Sequence, residues 1–223
     1  MSARPGALAD SRRGSPDRAE RTVALIGMRC AGKTSVGASL ARLLGRPLVD
    51  LDEEVVGLAA ARRSGVEASR ASAGDVLRRE GIPVFRHLEA EALRAALDAR
   101  APFVLATGGG VVEREENQEL IAARTFTVWL NASLPVLEHR LRTDPTERPP
   151  LGPPDPERVL AARPDERAAG ASDRGAAAAE LAELLARRAP VYERLADLVL
   201  DADSASPDEL AVEIVSALDT TAD

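Results

Sequence analysis

The sequence predicts an α/β fold with a parallel sheet. Two observations predict it. Short runs of apolar, β-branched residues alternate along the chain with longer segments of helical period, and the first such run ends in a glycine loop that opens a helix. The length, 223 residues, suits a single domain. Apolar residues make up 45% but aromatics only 2%, so the core must be built from Ala, Val, Leu and Ile. The net charge of −7 argues against sequence-independent nucleic-acid binding, which needs a basic surface. The single cysteine, Cys30, excludes an internal disulfide and fits a cytoplasmic protein. No apolar run approaches the roughly 20 residues of a membrane span.

Residues 1–21 are rich in Pro, Gly, Ser and Arg and have no apolar stretch. They are expected to form a disordered tail, not a secretory signal, ahead of one domain over 22–223. "TVALI", Thr22 to Ile26, reads as a buried parallel strand. Behind Lys33, the residues Val36, Leu40, Leu43 and Leu44 share one helical face, with Gly45 at the C-terminal cap and Pro47 beyond it. "PLVDLD", 47–52, reads as a second strand with acids at its end. Val55, Val56 and Leu58 suggest a helix, after which "RRSGVEASRASAG" loses periodicity and reads as a loop or insertion. "VFRHLEAEALRAALDA" is a helix with Leu88, Ala92 and Ala96 along one side. "FVLATGGG" is a strand running into three glycines, "RTFTVWLN" is another strand, and Ser133 caps a helix carrying Leu137 and Leu141. Residues 143–175, dense in Pro, Gly, Asp and Arg, are too long for a simple connection and are expected to be a lid or a disordered segment. "AAAAELAELLARRA" resumes a helix that Pro190 should break near Arg188. "DLVLDA" is a last strand. Ser206, Pro207, Asp208 and Glu209 then start a helix whose buried face is Leu210, Ile214 and Leu218.

The loop "GMRCAGKTS", Gly27 to Ser35, matches G-x-x-x-x-G-K-[ST] between a strand and a helix. Glycines let backbone N–H groups of Met28, Arg29, Cys30, Ala31, Gly32 and Lys33 approach phosphate oxygens, and the helix N-terminus adds a positive dipole end. Lys33 is suited to the β and γ phosphates of a nucleotide, and the Thr34 hydroxyl to Mg²⁺. Cys30 reads as an incidental loop residue. The motif implies a nucleoside triphosphate; the acceptor must be read from other groups.

On the strand reading of 47–52, Asp50 and Asp52 point to the same side, at the carboxyl edge where open parallel sheets bind ligands. One carboxylate there can hold Mg²⁺ through water, and another can orient or deprotonate an acceptor hydroxyl. A solvated acidic pair favoured by a helix dipole fits the same spacing. Gly108, Gly109 and Gly110 end a strand at that edge, where backbone can approach a ligand. Arg86, Arg148 and Arg188 have the planar fork suited to carboxylate or phosphate, although each alone reads as a surface arginine. His87 and His139 lack partners at metal-ligand spacing, and Trp129 reads as core.

Taken in order, "GMRCAGKTSVG", "VDLDEEV", "EGIPVFRHLE", "TGGGVV", "RPPL" and "RRAPVYERLADLVLD" resemble shikimate kinase, a family within the P-loop kinases. The resemblance spans about Thr22 to Leu218, apart from insertions near 62–73 and 152–178. It implies a P-loop kinase fold with a five-stranded parallel sheet in the order 2-3-1-4-5, flanked by helices, with a lid. It implies transfer of the ATP γ-phosphate to the 3-hydroxyl of shikimate, with Mg²⁺, on the route to chorismate and the aromatic amino acids. Residue by residue, it implies that Lys33 and Thr34 serve ATP and Mg²⁺, that Asp50 holds the metal, and that Asp52 binds the hydroxyls and acts as base. Arg86 and Arg188 would clamp the carboxylate, with a shikimate-binding segment near 53–100. Gly108, Gly109 and Gly110 would line the ring, Arg148 would be the lid arginine, and Arg140 would lie near the adenine. A small-molecule substrate and a monomer are expected, with neither nucleic acid nor membrane as partner. Two other readings share these elements: a kinase of the same fold for a gluconate-type hydroxy acid, and a non-catalytic ligand-sensing module. A sensor would not need Asp52, the glycine run and Arg148 together.

Overall fold

The computed structural model describes residues 20–62, 71–98, 101–143 and 172–219. The tail expected at 1–21, but for its last two residues, lies outside the described residues. So do most of the insertion near 62–73 and the lid segment with Arg148, apart from its ends.

Five parallel strands, β1 (Thr22–Ile26), β2 (Leu48–Asp50), β3 (Val104–Ala106), β4 (Thr125–Asn131) and β5 (Leu198–Asp201), form one sheet in the order β2-β3-β1-β4-β5. β1 is central and fully buried, which its unbroken apolar sequence requires of a strand covered on both faces. The helices are α1 (Lys33–Leu44), α2 (Leu51–Ala61), α3 (Ala73–Glu80), α4 (Ile82–Leu97), α5 (Glu115–Arg124), α6 (Leu134–Thr143), α7 (Ser172–Leu195) and α8 (Pro207–Asp219). α1 packs against α8, and α2 against α4. Trp129 is buried, with its ring 5.9 Å from that of Tyr192, as a core residue should be. Among the described residues, no helix is long and apolar enough to cross a membrane.

Four elements differ from expectation. The second strand stops at Asp50, not Asp52. Asp50 caps α2, its Oδ1 accepting the Asp52 N–H at 3.0 Å, and Asp52, Glu53 and Glu54 fill the first helical turn. A strong N-cap residue followed by acids favours the helix over two more strand residues. Asp50 and Asp52 therefore do not share a strand face. The loop read across "RRSGVEASRASAG" ends early, because Ser72 and Asp75 form a reciprocal capping box that starts α3. α5 has no counterpart in the sequence reading. α7 runs through Pro190 without the expected break, since Leu181, Leu184, Arg188, Tyr192 and Leu195 make one continuous buried seam along it.

Candidate active site

β1 ends at Ile26 and α1 begins at Lys33, so the loop between them lies at the carboxyl edge of the central strand. Gly27 and Gly32 have φ of 141° and 96°, and Cys30 joins them on the positive side at 62°. A Cβ at Gly27 would lie 2.6 Å from the Leu130 carbonyl oxygen, so only glycine fits there. No side chain caps the start of α1, which leaves its N-terminal dipole to a ligand. Lys33 is buried and donates to the carbonyls of Gly27 at 2.9 Å and Met28 at 2.7 Å. Arg140, on α6, donates to the carbonyls of Cys30 at 3.3 Å and Ala202 at 2.7 Å, tying the back of the loop to the end of β5.

Thr34 donates its hydroxyl hydrogen to Asp50 Oδ2 at 2.8 Å. Two hard oxygen donors thus meet beside the loop. A magnesium ion takes few protein oxygens and fills the rest of its shell with water and phosphate, so this pair fits one. The described residues hold no cluster of three or more His, Cys, Asp or Glu that would suit a metal caged by protein alone.

The glycines after β3 bring a second group together. A Cβ at Gly108 would lie 2.8 Å from Glu89 Oε1 and 3.1 Å from Asp52 Oδ1, so both carboxylates flank that glycine. A Cβ at Gly110 would fall on the Arg86 guanidinium. Arg86, on α4, donates from Nη1 to Glu89 Oε2 at 2.8 Å and from Nε to Glu113 Oε2 at 3.0 Å. Arg188, on α7, is 2% exposed and donates from Nε to Glu113 Oε1 at 3.0 Å. Burial pushes the Glu89 carboxyl above its ordinary range, Asp52 and Glu113 adding to the rise and Arg86 opposing it. Burial acts the same way on Glu113, but there Arg86, Arg188 and Arg187 prevail and hold it below the usual carboxylate range. Tyr192 donates to the Gly109 carbonyl, and burial pushes its phenol up.

One cleft of about 920 Å³ joins the two groups. Arg29, Cys30, Ala31, Gly32, Lys33, Thr34 and Ser35 line it, as do Asp50, Asp52, Arg86, the three glycines, Arg140 and Arg188. A family model described as shikimate kinase matches residues 29–219. The chain belongs to the shikimate kinase family. The shikimate kinase of Cereibacter sphaeroides is 35% identical over 206 residues, covering 92% of this chain and 86% of the relative. That of Ruegeria pomeroyi is 32% identical, covering 91% and 87%. The solved structure of the Acinetobacter baumannii shikimate kinase, in complex with shikimate, superposes with a TM-score of 0.68 at 25% identity, covering 92% of this chain and 97% of that one.

Within this family frame, every site residue expected from sequence that falls among the described residues lies at the cleft, apart from Gly27 and Met28. Those two form the floor of the loop, where Lys33 holds their carbonyls. Arg148 lies outside the described residues. Glu89, Glu113 and Tyr192 were not singled out in the sequence. Glu89 follows Arg86 by three residues on a helix, a pairing signal that was available. For Glu113 no such signal existed, because its partners lie on two distant helices.

Proposed function

We propose that the protein transfers the γ-phosphate of ATP to the 3-hydroxyl of shikimate. The observation that carries this reading is the cleft that a phosphate loop, Asp52 and an arginine pair line together. Family membership supports the same acceptor, and supports ATP as co-substrate.

The roles follow from chemistry. The loop amides and the α1 N-terminus receive the nucleotide phosphates, and Lys33 exchanges its two loop carbonyls for phosphate oxygens. Thr34 and Asp50 hold Mg²⁺, which when bound neutralises phosphate charge. Arg86 and Arg188 grip the substrate carboxylate, and the backbone of Gly108, Gly109 and Gly110 lies along the ring. Asp52 orients the 3-hydroxyl and takes its proton as the new O–P bond forms and the bond to the ADP oxygen breaks. Arg148, as the lid arginine, adds positive charge at the transferring group. The protein acts as a cytoplasmic monomer on a small molecule.

A coupled assay of ADP release, with shikimate, quinate and gluconate offered separately, tests the reading. Turnover should require shikimate. Turnover with gluconate and none with shikimate would reject it.

A further inference from the structure

Glu113 lies three residues after Gly110, at the end of a 3₁₀ turn over Val111–Glu113. That turn is anchored. Glu113 donates its N–H to the Gly110 carbonyl at 3.0 Å, and buried Asn117 and neighbouring Gln118 hold the carbonyls of Val111 at 2.9 Å and Val112 at 2.7 Å. The Glu113 carboxylate is thereby set at a fixed place relative to the glycine run. One of its oxygens accepts from Arg86 Nε at 3.0 Å. The other accepts from Arg188 Nε at 3.0 Å and from Arg188 Nη2, with Arg187 Nη2 at 3.5 Å. One carboxylate takes the Nε edge of both site arginines.

Arg86 and Arg188 line the cleft, and Glu113 does not. It therefore holds them without itself lining the acceptor space. Arg188 Nη1 is buried and has no geometric hydrogen-bond partner among the described residues. Two guanidiniums brought this close repel each other, and a carboxylate between them offsets that repulsion. A fork held in advance loses less freedom when it binds.

We propose that Glu113 is a positioning residue of the acceptor site: it holds Arg86 and Arg188 side by side before substrate arrives, so that one acceptor carboxylate is gripped by both. The proposal rests on the reading of these arginines as the substrate clamp. It separates binding of the acceptor from the chemical step. Loss of the Glu113 charge weakens acceptor binding and leaves the nucleotide end alone.

Two measurements on the full chain test it. In steady-state kinetics, Glu113→Gln should raise KM for shikimate at least tenfold, with kcat within about threefold and KM for ATP unchanged. Glu113→Asp, which keeps the charge, should fall between this variant and the wild type. A KM for shikimate that stays constant or falls would overturn the proposal, a fall meaning that the carboxylate competes with substrate. So would equal changes in the KM values for shikimate and ATP. The second measurement needs no substrate. In ¹⁵N-resolved NMR spectra of the ligand-free protein, the Arg86 and Arg188 Nε–H signals should be protected from solvent exchange in the wild type and lose that protection in Glu113→Gln. Unprotected signals in the wild type would sink the proposal, even should Glu113→Gln fail to fold. Absence of shikimate turnover by the wild type would instead reject the function reading, and the NMR result would still decide the role of Glu113 on the arginines.

Discussion

A methyl group at residue 110 would fall on the Arg86 guanidinium, which Glu89 and Glu113 hold in place. The Arg86 side chain is long enough to move aside, so Gly110→Ala should displace it and leave the fold intact. KM for shikimate should rise at least tenfold while KM for ATP stays near wild type, and the thermal midpoint should fall because Glu89 and Glu113 lose their shared partner; an unchanged KM for shikimate would mean that Arg86 does not meet the acceptor. Arg188→Ala removes a buried charge partner, a change that typically costs about 2–5 kcal/mol. Calorimetric titration should show shikimate binding weakened by more than tenfold, and a smaller loss would argue against a direct clamp. At Asp52 the expected outcome is different: Asp52→Asn should lower kcat strongly with ATP affinity retained, and near-normal turnover would exclude it as the base. At this scale the sequence made the nucleotide end legible, because Lys33 and Thr34 belong to a contiguous motif whose geometry is local. Of the supports of the acceptor end, Glu89 is legible only as a helical partner of Arg86. Glu113 looks like a solvated acid until the fold brings Arg86 and Arg188 to it.

At the scale of elements, long strands and helices with one clear apolar face were legible, and junctions were not. β2 ends two residues before the run of strand-like residues does, because Asp50 satisfies the orphan N–H at the start of α2. The same side chain takes the Thr34 hydroxyl, so one residue both ends a strand and braces the phosphate loop. α5 buries only Asn117 and Ile121 and so shows no clear apolar face, although it opens with Glu115 and Glu116 and closes with Arg124, charges that match its dipole. α7 shows packing prevailing over local preference. Pro190 supplies no N–H and crowds the preceding turn, yet the helix continues to Leu195. Its buried seam from Leu181 to Leu195 stabilises more than the proline costs. Pro190→Ala should therefore raise stability, by about 1–3 kcal/mol from helix propensity. For a chain of this size each kcal/mol corresponds to roughly 2–4 °C in thermal midpoint. A lower midpoint by calorimetry would show that the packing of α7 depends on the proline.

At the scale of the whole molecule, the strand order β2-β3-β1-β4-β5 brings the ends of β1, β2 and β3 to one edge, and the cleft follows from that placement. Acids and bases from α1, β2, α2, α4, α6 and α7 line it, with Glu113 behind the arginines, and their charges make the stability of the fold depend on pH in two opposite ways. Both Glu89 and Glu113 pair with Arg86. Glu113 is held below its ordinary range, so its contribution is full above the unfolded carboxylate value and is lost as pH falls through its folded one. Glu89 is pushed above its ordinary range, chiefly by burial, so the folded state holds its proton more tightly than the unfolded chain does. That term favours the fold at acid pH and declines as pH rises from the unfolded value through the folded one. The two glutamine variants should then diverge from wild type with opposite sign. Against wild type, Glu113→Gln should be least stable near neutral pH and approach it in acid. Glu89→Gln should gain on wild type as pH rises from acid toward neutral. Denaturant unfolding of the three proteins from roughly pH 2 to 8, a range that spans the windows of both carboxylates, measures both trends, and parallel curves for the two variants would mean that burial and ion pairing do not divide between these carboxylates in this way.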